Sequence, residues 1–216
     1  MKKYIIISAF VITSIILTYL IYRNIIKSKE KKTMESMKNF GSLIFESAIV
    51  ESNRDLVIKK VWQVSEALGL ENPNHLMAVM WKESGINPKA INSNGGASGI
   101  IQFMPETAKW LGTTIEAVRK MDTIQQLELT EKYFKAVMKM VGVTKLKTYH
   151  DVYLAVFFPA ALGKPDDWVL KTNKLSATTI ANANTGIDLN KDKQITVGEF
   201  KQYATKKFSK EILDQL

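Results

Sequence analysis

The chain has 216 residues and no cysteine, so disulfides, thiolate zinc sites and a lipid-modified N-terminal cysteine are excluded. With 46% hydrophobic and 24% charged residues, the composition is not that of a disordered chain. The net charge of +9 is uneven, because positions 1–29 hold five basic residues and no acidic one. The rest has 25 Lys and Arg against 21 Asp and Glu, a mild excess that argues against a nucleic-acid partner.

Residues 4–22 predict a transmembrane anchor. The stretch YIIISAFVITSIILTYLIY has no charge, and as a helix it spans about 28 Å, close to the roughly 30 Å of a bilayer core. A cleaved signal peptide is the alternative, but no small-residue cleavage site follows Tyr22. We therefore predict an anchor over 1–23, in contact with membrane lipid, and a charged juxtamembrane stalk over 24–52.

Helical periodicity and capping signals dominate from residue 53 onward, so the fold class is mainly α. Asp122 with Gln125, and Thr148 with Asp151, resemble capping boxes that open helices. Positions 85–99 are rich in Gly, Asn and Ser and predict a loop. No strand alternation or internal repeat is found in the sequence. The predicted helices cover about 55–68, 73–84, 105–111, 122–141 and 148–158, within one domain over 53–175.

Glu83 lies near the C-terminal end of the predicted helix that starts at Pro73. Carbonyl dipoles at that end disfavour a negative charge, and the neighbours Met80 and Trp81 reduce hydration. Both effects raise the pKa of a carboxyl group, as a general acid near neutral pH requires. A Glu in a last helical turn is ordinarily a surface residue, so this pattern alone assigns no role.

The residues around Glu83 form a recognisable set of motifs. Glu83-Ser84 is followed by a loop, then by Gly99-Ile100-Ile101-Gln102 and by Met104-Pro105-Glu106-Thr107-Ala108. Over residues 73–112 this resembles the soluble lytic transglycosylase family, which is related to goose-type lysozymes. That family's pattern is Glu-Ser, a loop, Gly-(Leu/Ile)-Met-Gln and Met-Pro-x-Thr-Ala, so Ile101 replaces a Met. The resemblance implies a lysozyme-like helical domain.

The resemblance also implies an activity on peptidoglycan glycan strands. The family cleaves the β-1,4 bond between N-acetylmuramic acid and N-acetylglucosamine. Glu83 is implied as the acid that protonates the leaving oxygen and then as the base that takes the proton of the muramic 6-hydroxyl, giving 1,6-anhydro ends. No cofactor is required for this catalysis. The implied substrate-binding residues are Ser98, Gln102, Phe103, Met104 and Phe158.

The family's third motif, Ala-Tyr-Asn-Ala-Gly, is altered in this chain. Its counterpart is Phe157-Phe158-Pro159-Ala160-Ala161, with Phe158 in place of the Tyr and Pro159 in place of the Asn. An aromatic wall is kept, whereas the hydroxyl and amide contacts to sugar are lost. Two alternatives to a transglycosylase therefore stay open. One is a hydrolytic muramidase that uses the same Glu83, and the other is a non-catalytic wall-binding protein.

A twelve-residue stretch near the C-terminus matches the EF-hand calcium loop. Oxygen-bearing side chains occupy alternate positions and a Glu ends the loop, a spacing that suits calcium. Lys193 replaces the usual Gly at position 6, and no strong helix precedes the loop. We predict a structural calcium ion that pins the helix of segment 176–216; a polar turn without an ion is the alternative. The predicted ligands are Asp188, Asn190, Asp192, Gln194 and Glu199.

The predicted cellular setting has two forms. Basic residues flank the C-terminal side of the apolar stretch, at Arg23, Lys27 and Lys29, which predicts a cytoplasmic C-terminal side. A wall-degrading domain instead has to face the wall. We therefore predict a membrane-anchored enzyme either in a bacterial envelope or in a membrane-containing phage particle. The conflict over orientation does not arise in the particle, because its membrane is acquired in another way.

Overall fold

The computed structural model describes residues 2–216, with the side chains of all of these except residues 2–10, 12, 13 and 40. It divides into two compact units, of which the first ends at Ser42 and the second is Leu43–Leu216. The first unit consists of helix α1, Lys2–Phe40, and the residues that follow it to Ser42.

The predicted membrane anchor over 4–22 lies within α1. Of this stretch, the side chains of residues 4–10, 12 and 13 are outside the described part of the chain. In the part that is described, no helix combines the length and the hydropathy needed to cross a bilayer.

The second unit is a bundle of helices. Helix α2 packs against α6, and α3 packs against α7, which places the core between these four helices. Leu76, Met77, Leu127 and Phe134 are among its fully buried side chains. The helices are α2 Arg54–Leu68, α3 Asn74–Ser84, α4 Pro105–Trp110, α5 Ile115–Lys120, α6 Thr123–Val141, α7 Tyr149–Phe157, α8 Ala177–Ala183, α9 Val197–Thr205 and α10 Lys210–Leu213, with 3-10 turns at Glu46–Ala48 and Pro159–Ala161.

The mainly helical class is confirmed, since residues 2–216 contain isolated β-bridges but no extended strand. Both predicted capping boxes are present, at the starts of α6 and α7. Helices α5 and α8 were not predicted, because each is short and has little apolar periodicity. Helix α8 lies directly before the predicted calcium loop, where the sequence indicated no strong helix.

Part of the predicted stalk belongs to the second unit. Leu43, Ile44 and Ile49 are buried in its core. The backbone N–H of Ile44 donates to Asn74 Oδ1 at 3.0 Å, which attaches this segment to the start of α3. Residues 43–52 are thus structural parts of the helical bundle.

The C-terminal segment packs along one face of α7. The ring of Phe200 in α9 stacks on Phe157 with centroids 4.8 Å apart and lies 5.1 Å from the ring of Tyr153. The hydroxyl of Tyr149 donates to the carbonyl of Ala204 at 3.0 Å. These contacts place α9 beside the helix that packs against α3.

Candidate active site

Glu83 lies in the last turn of α3, whose end is determined by Gly85. This glycine has a φ of +65° and its N–H donates to the carbonyl of Trp81, while the N–H of Ile86 donates to that of Met80. Such a left-handed glycine closes a helix and satisfies its last carbonyls. The carboxyl group of Glu83 is consequently placed at the edge of the bundle, where it is largely buried and still in contact with solvent.

Three tyrosines surround Glu83. The hydroxyl of Tyr153 in α7 lies close enough to the Glu83 carboxyl group to act on its pKa as a hydrogen-bond partner, and Tyr133 and Tyr149 lie within electrostatic range of it. All three are buried, and their pKa values are raised, chiefly by that burial. They are therefore neutral near neutral pH, and Tyr153 is available as a hydrogen-bond donor.

Burial raises the pKa of Glu83 above its ordinary value, which is the direction that the sequence predicted. The hydrogen bond from Tyr153 is the largest opposing influence, followed by the positive charge of Lys82. A carboxyl group in this environment keeps its proton to a higher pH than an exposed one. That property is what a general acid needs.

These tyrosines were not among the site residues predicted from the sequence. Tyr149 and Tyr153 are four residues apart on one face of α7, and Tyr133 is on α6. The signal that could have found the first two is their shared helical face. Their approach to Glu83, however, depends on the packing of α3 against α7.

Replacing Tyr153 with Phe is expected to move the alkaline limb of the pH–kcat profile to higher pH. The hydrogen bond from Tyr153 favours the carboxylate of Glu83, so its loss raises the pKa of Glu83 and keeps the acid form to a higher pH. We also expect kcat to fall about tenfold, because the carboxyl group loses its orienting partner. Tyr133→Phe is the control, since that hydroxyl donates to the carbonyl of Ala155. An unshifted limb in Tyr153→Phe, or the same shift in both variants, argues against this role.

Ser84 joins α3 to the motif loop, which is the segment 85–104 between α3 and α4. Its hydroxyl is within hydrogen-bond distance of the carbonyls of Met80, at 3.1 Å, and Ile100, at 3.0 Å. On the other side of the loop, the buried amide of Gln126 accepts from the N–H of Ile100 at 2.8 Å and donates to the carbonyl of Pro88 at 2.8 Å. The loop is therefore fastened both to α3 and to α6.

Ser98 is fully buried in this loop. Its hydroxyl donates to the carbonyl of Gly96 at 3.0 Å and accepts from Arg119 Nε at 3.0 Å. The structure thus gives Ser98 a role in shaping the loop, and its predicted contact with sugar stays a prediction.

Gln102, Phe103 and Met104 follow at the end of the loop, with different exposures. Gln102 has a φ of +55° and its Nε2 donates to the carbonyl of Gly99 at 3.0 Å. Met104 is 47% exposed, whereas Phe103 is buried and its ring meets that of Tyr133 edge-on at 6.3 Å. All three line a cavity of about 50 Å³, and Tyr133 completes its wall. Gln102 and Met104 are thus accessible at the site, and Phe103 packs beneath it.

Phe158, in the altered third motif, is buried after the end of α7. It is 9% exposed and its ring lies 6.4 Å from that of Trp168. The preceding Phe157 stacks on Phe200 of α9. The two phenylalanines therefore bind the C-terminal segment to the bundle.

The predicted calcium loop connects α8 to α9 and is held by its own side chains. Asp188 Oδ2 accepts from the N–H of Lys193 at 3.0 Å, and Asn190 Oδ1 accepts from that of Asp192 at 2.9 Å. Asp192 Oδ1 accepts from the N–H of Gln194 at 2.8 Å. Lys193 has a φ of +65°, so the position that usually holds Gly has the left-handed backbone that a Gly would adopt.

Two carboxylates of this loop have contrasting surroundings. Glu199 is 8% exposed and accepts from the N–H of Leu189 at 3.1 Å and from the N–H and hydroxyl of Thr196, each at 2.9 Å. Asp188 Oδ1, in contrast, is buried and has no hydrogen-bond partner. Throughout the described residues, no three or more His, Cys, Asp or Glu side chains are grouped so that they could hold a metal ion. The loop therefore offers one unsatisfied oxygen, while Glu199 is occupied by backbone donors.

Residues 60–157 match the model of the transglycosylase SLT domain family. No curated protein matches the chain. The matched segment includes Glu83, the motif loop and all three tyrosines, whereas Phe158 and the loop Asp188–Glu199 lie outside it. The family resemblance indicated by the motifs is thereby confirmed over residues 60–157, which match a transglycosylase SLT domain.

Proposed function

We propose that this protein is a peptidoglycan lytic transglycosylase in which Glu83 is the catalytic acid and base. The observation that carries the proposal is the environment of Glu83: burial raises its pKa, and Tyr153 acts on it as a hydrogen-bond partner. Glu83 lies within the matched residues 60–157, in a Glu-Ser motif that resembles that of the family. The substrate is the bond between N-acetylmuramic acid and N-acetylglucosamine.

The reaction needs no water and no cofactor. Protonated Glu83 transfers its proton to the glycosidic oxygen while the bond from muramic C1 to that oxygen breaks. The resulting carboxylate then takes the proton of the muramic 6-hydroxyl, and the 6-oxygen forms a bond to C1. The products are a 1,6-anhydro-muramic end and a free N-acetylglucosamine end, and Glu83 is restored to its acid form.

The neighbours of Glu83 divide into two groups in this proposal. Gln102 and Met104 are accessible and contact the sugar at the cleavage site. Ser98, Phe103 and Phe158 are buried, and they act by maintaining the loop and the wall behind it. Tyr153 orients the carboxyl group of Glu83 and limits the rise of its pKa.

Mass analysis of digested peptidoglycan tests this function against its two alternatives. A transglycosylase releases fragments with 1,6-anhydro ends. A hydrolytic muramidase uses water in place of the 6-hydroxyl and releases reducing ends that are one water heavier. A wall-binding protein without activity releases neither, although it still sediments with the polymer. Reducing ends or no release, from folded protein, contradict the proposal.

We also propose that the loop Asp188–Glu199 binds a structural calcium ion. Asp188 Oδ1 supports this, because a buried carboxylate oxygen without a donor is a costly arrangement that a cation relieves. Asn190, Asp192 and Gln194 supply further oxygen ligands at the spacing that calcium prefers. Glu199 completes the set only after its carboxylate leaves the backbone groups of Leu189 and Thr196.

Calcium is expected to raise the Tm of the protein by roughly 5 °C over that in a chelator, because the ion binds only the folded loop. Asp188→Asn removes this difference, whereas Asp214→Asn, at an exposed position in the same segment, keeps it. Thermal unfolding followed by circular dichroism measures the shift. Equal Tm values for the parent protein in calcium and in chelator contradict the calcium site.

The setting proposed for this activity is the bacterial cell wall. The mild basic excess of residues 30–216 suits an anionic wall polymer. Remodelling of a cell's own envelope and opening of the wall by an infecting phage particle both require this reaction. Detection of the protein in envelope fractions or in purified particles distinguishes the two.

A further inference from the structure

A basic pocket lies beside the catalytic carboxyl group. It has a volume of about 250 Å³ and is lined by Trp81, Lys82, Tyr203, Lys206 and Lys207. The first two belong to α3 and directly precede Glu83, while the other three come from the end of α9 and the residues after it. Only the α3 side lies within residues 60–157, so the pocket is completed by a segment outside the family domain.

Lys82 fastens the two sides of this pocket together. Its ammonium group donates to the carbonyls of Tyr203, at 3.1 Å, and Ala204, at 3.2 Å. It also lies 4.8 Å from the centre of the Tyr203 ring and 5.6 Å from that of Phe208. Trp81, on the α3 side, stacks on Phe45 with ring centroids 4.4 Å apart. The two sides of the pocket are therefore joined by the hydrogen bonds and ring contacts of Lys82.

The charge of the pocket is positive and is not balanced locally. Lys206 and Lys207 are exposed, and the charge of Lys207 is close enough to lower the pKa of Lys82, an effect second to that of burial. Among the ion pairs of the described residues, none includes Lys82, Lys206 or Lys207. The acidic group that acts on Lys82 is Glu83 itself, and its charge is absent when it is protonated for catalysis. Three lysines thus line a cavity that has room for an anion, and the ammonium group of one of them, Lys82, is already bonded to the carbonyls of Tyr203 and Ala204.

The pocket is also connected with the catalytic groups. Lys82 influences the pKa of Glu83, and the side chain of Tyr203 influences that of Tyr153, the hydrogen-bond partner of Glu83. Lys82 directly precedes Glu83, so the pocket and the catalytic carboxyl group share the last turn of α3. In peptidoglycan, the substituent beside the cleaved bond is the stem peptide on the lactyl group of muramic acid, which carries carboxylates.

We propose that the pocket between α3 and the end of α9 binds a carboxylate of the stem peptide, so that the enzyme prefers glycan strands that carry peptides. Ammonium groups bind carboxylates through charge-assisted hydrogen bonds, and the rings of Trp81 and Tyr203 provide apolar walls for the peptide's carbon atoms. This inference rests on the proposed function for its substrate, and it adds a determinant of specificity.

The test compares stem-bearing strands with the same strands after an amidase has removed the peptides, both freed of phosphate polymers beforehand. In the double variant Lys206→Ala, Lys207→Ala, the ratio of kcat/KM for stem-bearing to stripped strands is expected to fall about five- to tenfold. Lys171→Ala, Lys174→Ala is the matched control, because it removes two exposed charges from the same segment of the chain. An unchanged ratio in the pocket variant, or an equal fall in the control, overturns the proposal.

A binding measurement keeps this proposal separate from the proposed function. Calorimetric titration with a soluble stem tetrapeptide requires no catalysis. Saturable binding to the parent protein that is lost in the Lys206, Lys207 double variant supports the pocket even if no strand is cleaved. Absence of binding to the folded parent protein overturns the pocket, whatever the activity.

Discussion

Glu83→Gln is expected to lower kcat on purified peptidoglycan by at least about a thousandfold. The amide has nearly the shape of the carboxylic acid but cannot transfer a proton to the leaving oxygen, and general acid catalysis typically contributes a factor of about a hundred to ten thousand. The measurement is the rate of release of anhydro-muramic fragments. Glu71→Gln is the control, because that carboxylate is exposed between α2 and α3. Retention of more than a tenth of the activity by Glu83→Gln contradicts the assignment.

The stability of Glu83→Gln separates a catalytic role from a structural one. Because the pKa of Glu83 is raised in the folded protein, its ionisation disfavours folding. This penalty is absent below the unfolded pKa and complete above the folded pKa. The variant is therefore expected to be as stable as the parent protein at low pH and equally or more stable at neutral pH. A large loss of Tm at neutral pH indicates instead that the carboxyl group supports the fold.

Gly99→Ala is expected to destabilise the protein by about 3 kcal/mol and to abolish most of its activity. Gly99 has a φ of +83°, and an added Cβ would lie 2.3 Å from Gln126 Oε1 and 2.8 Å from Gln126 Cδ. Gln126 is fully buried, so moving it breaks its bonds to Ile100 and Pro88 and leaves buried backbone groups unsatisfied. The left-handed backbone contributes about 1 kcal/mol of this loss and the unsatisfied groups about 1–3 kcal/mol.

Gly142→Ala is the matched control for the crowding at Gly99. It has a similar φ of +75° and follows the end of α6, but nothing lies within 4 Å of its added Cβ. Only the cost of the left-handed backbone applies at Gly142. We therefore expect the free energy of unfolding to fall by about 1 kcal/mol and the activity to be unchanged. Denaturant unfolding measures both variants. Equal losses in the two variants contradict the role of Gln126 in holding the loop.

The features predicted correctly from the sequence are local ones. Each capping box, at Asp122 and at Thr148, consists of residues within a stretch of four. The starts of helices α6 and α7 are therefore determined by neighbouring residues. The family motif from Glu83 to Ala108 is likewise one continuous stretch, and it was sufficient to identify the domain. Helices α5 and α8 were missed, because six or seven residues show barely two turns of periodicity and neither helix has the initial proline that marks the equally short α4.

The sequence by itself determined the helical class, the family and the position of Glu83, because hydrophobic period, helix caps and motif spacing act between near neighbours. Only the tertiary structure decided what surrounds that carboxyl group. Tyr133 and Tyr153 reach it from α6 and α7, and Lys206 and Lys207 line the pocket beside it from the end of α9. These groups are distant in the chain and meet only because the apolar faces of their helices are buried together, and that burial is also the cause of the raised pKa of Glu83.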